Sequence, residues 1–129
     1  MFIEIEPDSS IPIYQQLAQQ IIEGVASGQL KPGEALPSVR AFAADLGMNM
    51  HTVNKAYHYL EEKKMIEIIQ KKGVFIHPQG VREATADDMA RIGRELRPIL
   101  AEALCLKVDD SELLLLAEKL IKDIKEGTR

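Results

Sequence analysis

Tryptophan is absent from the 129 residues, and phenylalanine and tyrosine number three each, so any core must be built mainly from aliphatic side chains. The single cysteine, Cys105, excludes an internal disulfide and a cysteine-based metal site, and it suits a reducing compartment. No stretch approaches the ~18 consecutive apolar residues that mark a membrane helix. The N-terminus, Met1-Phe2-Ile3-Glu4, has no basic region leading into an apolar core. These absences give the expectation of a soluble, cytoplasmic protein without a membrane partner. Positive charge is short as well. Sixteen Lys and Arg against 20 Asp and Glu leave a net charge of -4, which excludes a strongly basic nucleic-acid coat but not a local basic patch.

Chemistry is equally sparse. There is no nucleophile elbow, phosphate loop or glycine-rich dinucleotide turn. The carboxylates are scattered as solvated charges usually are. The three histidines, His51, His58 and His77, have no cysteine cluster beside them. His51 and His58 lie two helical turns apart, too far for one ion without further ligands. We therefore expect no enzyme activity, no metal and no cofactor. The length also excludes a two-domain enzyme with a cleft between its domains.

The pattern that is present is helical first and then mixed. Phe2-Ile3-Glu4-Ile5-Glu6 partly alternates and reads as a short extended arm. Pro12 suits a helix start, and Ile13, Leu17, Ile21 and Val25 form one apolar stripe that Gly28 ends. Leu30-Lys31-Pro32-Gly33 reads as a turn. Ser38 caps a second helix with Phe42, Ala43 and Leu46 inward, and Gly47 stops it. Asn49 caps a third helix, Met50 to about Lys63, with Val53, Ala56, Tyr57 and Leu60 inward. Its outward face is Met50, His51, Asn54, Lys55 and His58. Ile66–Gln70 and Val74–His77 read as strands joined by Lys71-Lys72-Gly73. Two helices, a short turn, a third helix and a hairpin make a winged helix-turn-helix. Tyr14, Tyr57 and Tyr59 read as packing residues with wet hydroxyls, and Cys105 as a buried, inert thiol.

Pro78-Gln79-Gly80-Val81-Arg82 is a plausible joint, after which the chain reads as two helices. Thr85 caps the first, whose stripe is Met89, Ile92, Leu96, Leu100 and Ala103. Pro98 should kink or split it. Asp109 and Glu112 have the spacing of a capping box for the second, with Val108 and Leu113 as a hydrophobic staple. Its apolar residues include Leu113 to Leu116, Leu120 and Ile124, and Gly127 closes it. Four consecutive leucines cover every side of a turn. Only one side can face the neighbouring helix of the same chain, so the rest need another surface, most simply a second copy.

The fold class is thus mainly α with a small β hairpin: a winged helix-turn-helix over residues 1–78, followed by a two-helix dimerisation tail over 79–129. The dimer residues expected are Met89, Ile92, Leu96, Leu100, Leu113, Leu116, Leu120 and Ile124. A cation in the first turn of a helix opposes the helix dipole, and Arg40 sits there. At the hairpin tip, Lys71 and Lys72 with the flexible Gly73 suit a phosphate or groove contact, or simply keep the tip soluble. Between residues 36 and 77 six basic residues face four acidic ones.

Pro12-Ile13-Tyr14-Gln15-Gln16-Leu17, Gly28-Gln29-Leu30-Lys31-Pro32-Gly33, Leu36-Pro37-Ser38-Val39-Arg40, Phe42-Ala43, Leu46-Gly47, Thr52-Val53, Ala56-Tyr57, Leu60-Glu61 and Gly73-Val74-Phe75-Ile76 together closely resemble the GntR family of bacterial transcriptional regulators. With only about 50 residues after the hairpin, the chain resembles the short-tailed YtrA-like subfamily. The resemblance implies a homodimeric repressor that binds an inverted repeat in double-stranded DNA, often at the operon of an ABC transporter. It implies that Arg40 contacts the operator and that Thr52 and Lys55 lie near the backbone or base edges. Thr52 can reach a phosphate or a thymine methyl, and Lys55 a phosphate or guanine. Met50 and Asn54 depart from the basic residues common in the family, and asparagine can pair with adenine. His51 is a further candidate on the same helix. Ser38 can approach phosphate, although capping its own helix suffices. Lys64 stands where the family often has glycine, which requires a strained backbone or a shifted turn. An unidentified small-molecule effector stays open, as does the alternative of a dimeric adaptor whose winged domain binds a protein.

Overall fold

The computed structural model describes residues 3–78 and 82–128. The chain divides into two compact units, Met1–Val81 and Arg82–Arg129. Of the expected joint, Gln79, Gly80 and Val81 lie outside the described residues, as does Phe2 of the arm.

The first unit is built on α1 (Ile13–Ser27), α2 (Val39–Leu46) and α3 (Met50–Glu62). Its sheet comprises β1 (Ala35–Leu36), β2 (Ile66–Ile69) and β3 (Gly73–Ile76). The helix ends follow the sequence signals. Gly28 and Gly47 close α1 and α2 in the left-handed conformation, and the side chains of Ser38 and Asn49 cap α2 and α3. The apolar stripes converge on one core that includes Leu17, Ile21, Leu30, Phe42, Val53, Tyr57, Leu60, Ile66 and Ile76. α1 comes so close to Leu30 that a Cβ on Gly24 would lie 2.8 Å from its Cδ1.

Three details differ from the sequence reading. The sheet has three antiparallel strands, in the order β1-β3-β2, where a two-stranded hairpin is expected. β1 exists because Ala35 and Leu36 pair with Phe75 and Val74, and Gly33 N–H donates to the Ile76 carbonyl at 3.0 Å. The hairpin turn also begins one residue earlier. Gln70, Lys71 and Lys72 form the loop, Lys71 takes the left-handed conformation (φ 69°), and Gly73 starts β3. Finally, the extended arm is tied down by side chains. Gln20, almost fully buried, accepts from Glu4 N–H at 2.8 Å and donates back to the Glu4 carbonyl. One turn earlier, Gln16 does the same with both backbone groups of Glu6 and also reaches the Ile11 carbonyl. The two amides satisfy backbone groups as a neighbouring strand would.

The second unit consists of α4 (Ala86–Cys105) and α5 (Asp110–Glu126). Thr85 and Asp88 form a reciprocal capping box at the start of α4. α4 runs unbroken through Pro98, so of the kink or split expected there the split does not occur. Both Pro98 and Arg94, whose carbonyl loses its helical donor there, are exposed, so water can replace that bond. Asp109 is the N-cap of α5 but makes no side-chain capping bond, so the expected capping box is absent. Gly127 ends α5 as anticipated.

Neither tail helix buries a residue, and the two do not pack along one another. The expectation that one leucine face meets the neighbouring helix of the same chain is therefore wrong. Leu113 and Ile124 are half-buried, whereas Met89, Ile92, Leu96, Leu100, Leu116 and Leu120 are exposed. Ile99, Leu104, Leu106, Leu114, Leu115 and Ile121 join them, with exposures across the set from 38% at Ile92 to 71% at Leu106. Cys105 is exposed too, contrary to the expected buried thiol, because the helix face it ends has nothing packed on it. Among the described residues no helix is long and apolar enough to cross a membrane.

Candidate nucleic-acid interface

Three residues, Gly47-Met48-Asn49, join α2 to α3 and make the helix-turn-helix. Gly47 supplies the positive φ (65°), Met48 N–H donates to the Ala43 carbonyl at 3.0 Å, and Asn49 Oδ1 accepts from His51 N–H at 2.8 Å. Tyr57 fixes α3 to the start of α2. Its ring is fully buried, with its centroid 6.2 Å from that of Phe42. Its hydroxyl donates to the Pro37 carbonyl at 2.7 Å, so the expectation of a wet hydroxyl is wrong at this position. Burial holds the phenol neutral by pushing its pKa well above the ordinary range. Pro37 precedes the cap Ser38, and Arg40 follows in the first turn of α2. Tyr57 thereby ties the start of α2, where Arg40 sits, to α3.

Arg40 is exposed, and among the described residues no acceptor holds its guanidinium. A cation at the positive end of a helix has no local electrostatic reason to be there. Ser38 Oγ accepts from Ala41 N–H at 3.1 Å, so its capping role is realised. On α3, Met50, His51, Asn54, Lys55 and His58 are exposed and Thr52 is half-buried. His58 Nδ1 lies 3.6 Å from Glu61 on the same helix, a surface pairing rather than a free reading group. Lys55 is not a loose cation. Its Nζ stands 4.4 Å from the centroid of the Tyr14 ring on α1. Tyr14 in turn meets Tyr59 edge-on at 6.1 Å, and Lys63 Nζ sits 5.0 Å over the Tyr59 ring.

The wing brings a second group of cations. Lys71 and Lys72 are exposed at the tip, and Lys72 N–H closes the turn on the Ile69 carbonyl at 3.0 Å. The candidates thus fall on three elements of the first unit: the start of α2, the outer face of α3, and the β2–β3 loop. The sequence reading missed Tyr57 and Tyr14 as organisers of this surface. Both act through residues far away in the chain, and no local spacing marks them. Among the described residues no cluster of His, Cys, Asp and Glu could hold a metal ion.

Residues 13–76 match the family described as bacterial regulatory proteins, gntR family. Over 127 residues the chain is 34% identical to the HTH-type transcriptional repressor YtrA of Bacillus subtilis (strain 168), covering 98% of each chain. Among solved structures, a transcriptional antiterminator from Listeria monocytogenes EGD-e has a TM-score of 0.92 at 33% identity, with 100% of this chain and 96% of that one covered. YtrA from Sulfolobus acidocaldarius, a GntR-family transcription factor, has a TM-score of 0.54 at 36% identity over 94% of this chain and 97% of that one.

Proposed function

The chain belongs to the gntR family of bacterial regulatory proteins and is a DNA-binding transcriptional regulator, not an enzyme; on that premise we propose that it is a homodimeric repressor of the short-tailed YtrA-like kind. The observation that carries this reading is the match of nearly the whole chain, tail included, to a repressor of the same length. The winged unit, residues 1–78, binds one half-site of an inverted repeat, and the tail, 79–129, joins two copies. In each half-site α3 enters the major groove. Arg40, Met50, His51 and Asn54 face base edges, Thr52 and Lys55 flank them, Ser38 lies near phosphate, and Lys71, Lys72 and Gly73 follow the adjacent backbone. Repression then needs only occlusion of the promoter. The resemblance to the short-tailed group makes an ABC transporter operon the first locus to search for the site.

A net charge of -4 per chain works against DNA, so affinity has to come from a few well-placed cations doubled by symmetry. Selection from random duplex DNA, at low and near-physiological salt, tests the reading. It should enrich an inverted repeat with half-sites about one helical turn apart. Arg40→Ala should weaken that site by about ten- to a hundredfold. Absence of enrichment at both salts would overturn the reading of a repressor that binds its site unaided and favour an adaptor that binds protein, or a requirement for a small-molecule effector. Wild-type affinity in Arg40→Ala would remove Arg40 from the interface.

A further inference from the structure

The structure leaves one cation of the proposed reading helix with a partner, and that partner is aromatic. Val53, Ala56, Tyr57 and Leu60 of α3 are buried, and with ~100° between successive residues His51 and His58 lie opposite them. Asn54 and Met50 fall toward the flank where Tyr57 meets α2. Lys55 lies about as far from the buried face as His51, on the side of α3 where Tyr59 meets α1, so it is the ring contact and not the helical position that takes its ammonium off centre. There the Tyr14 ring holds the Lys55 ammonium at 4.4 Å, and among the described residues no carboxylate takes Lys55 into an ion pair. The ring is itself braced edge-on by Tyr59. An ammonium over an aromatic face keeps its full charge and stays exposed, whereas one paired with a carboxylate would be neutralised.

We propose that Tyr14 is a positioning residue for DNA binding: its ring draws the Lys55 ammonium off the centre of the reading face, so that Lys55 meets the sugar–phosphate backbone rather than a base edge. This rests on the reading of the winged unit as the DNA-binding surface. It makes Tyr14 a determinant of affinity rather than of sequence preference. It also divides α3 by chemistry: Met50, His51 and Asn54 read bases, and the Lys55 ammonium, drawn toward α1, anchors.

The test is a double-mutant cycle read as DNA affinity, by fluorescence anisotropy over a range of salt, against the inverted repeat obtained by selection and against a random-sequence duplex. Lys55→Met should weaken both duplexes alike and lower the slope of log affinity on log salt by about 0.9 per protomer. Tyr14→Leu should weaken binding about two- to fivefold in the wild-type background. In the Lys55→Met background it should change nothing. Tyr14→Phe keeps the ring face and should bind as wild type, and it remains informative if Tyr14→Leu loosens α1. Equal losses from Tyr14→Leu in both backgrounds would show that the ring acts only by packing and would overturn the proposal. So would a loss in Tyr14→Phe equal to that in Tyr14→Leu, or wild-type binding by Lys55→Met. Those three failures leave the DNA-binding reading intact if Arg40→Ala still weakens the selected site by about ten- to a hundredfold, whereas failure of the unaltered protein to bind either duplex overturns both.

Discussion

Lys64 sits where α3 gives way to β2, with φ at 60°, in the left-handed region. Met65 N–H reaches back to the Leu60 carbonyl at 3.1 Å and Lys64 N–H to Glu61 at 2.9 Å, so the chain closes the helix around this residue as it would around a glycine. Of the two options open to a non-glycine residue here, the backbone is strained and the turn is not shifted. A left-handed conformation costs a side-chain-bearing residue about 1–2 kcal/mol, and glycine offsets part of that gain through its freer unfolded chain. Lys64→Gly should therefore stabilise the winged unit by about 0.5–1 kcal/mol, seen as a higher urea midpoint with unchanged slope. A lower midpoint would mean that the lysine has a stabilising contact that outweighs the strain. At this scale the sequence was informative wherever a residue acts on its own neighbours: Ser38, Asn49, Gly28 and Gly47 all do what their chemistry demands locally. It was silent where a side chain acts at a distance. Gln20 serves Glu4 sixteen residues away, and Tyr57 serves Pro37 twenty residues away. Asp109 shows the opposite limit, with the right residue in the right place and no capping bond made.

At the scale of elements, the start of α4 is the most heavily bonded helix terminus. Asp88 accepts from Thr85 N–H at 2.8 Å and from the Thr85 hydroxyl at 3.0 Å, while Thr85 Oγ1 accepts from Asp88 N–H at 3.2 Å. Arg82 closes the group, donating Nη1 and Nη2 to the two carboxylate oxygens. The Arg82 hydrogen bonds and those from Thr85 hold the Asp88 carboxyl well below the usual carboxylate range. Because the folded value is depressed, the cap's contribution is fully present above the unfolded pKa and is lost only as pH falls through the lower folded value. The Asp88 carboxyl carbon should accordingly titrate by NMR at a pH clearly below that of an ordinary aspartate, and Arg82→Ala should move the midpoint upward. An ordinary midpoint in the unaltered protein would show that the bidentate contact does not persist in solution. All five helices among the described residues and the β2–β3 pair were legible, since each is long enough to carry a period or is bracketed by turn residues. β1 was not, because two residues carry no alternation and become a strand only through what they pair with on β3.

The whole molecule is uneven in how it holds itself together. The winged unit has a closed core, whereas neither tail helix has a buried residue, so they lack the packing that normally sustains helices of this length. A second copy resolves this for the proposed repressor, because two tails can bury against each other the apolar faces that one tail leaves open. The sequence showed that these leucines needed another surface, but not that α4 and α5 leave each other unpacked, since periodicity identifies an apolar face without its partner. Leu116 and Leu120 lie one turn apart on α5, each still 51% exposed, and burying what remains of the pair is worth about 1.5–3 kcal/mol per protomer. Leu116→Lys with Leu120→Lys should give monomers by sedimentation. Tail helicity by circular dichroism should fall with it, while the thermal transition of the winged unit stays in place. The inverted repeat should then bind no more tightly than an isolated half-site, because the second winged unit is no longer held at high effective concentration. An intact dimer with both lysines would move the interface to the α4 stripe of Met89, Ile92, Leu96 and Leu100. A monomer that still binds the full repeat with undiminished affinity would mean that DNA, rather than the tail, brings the two copies together.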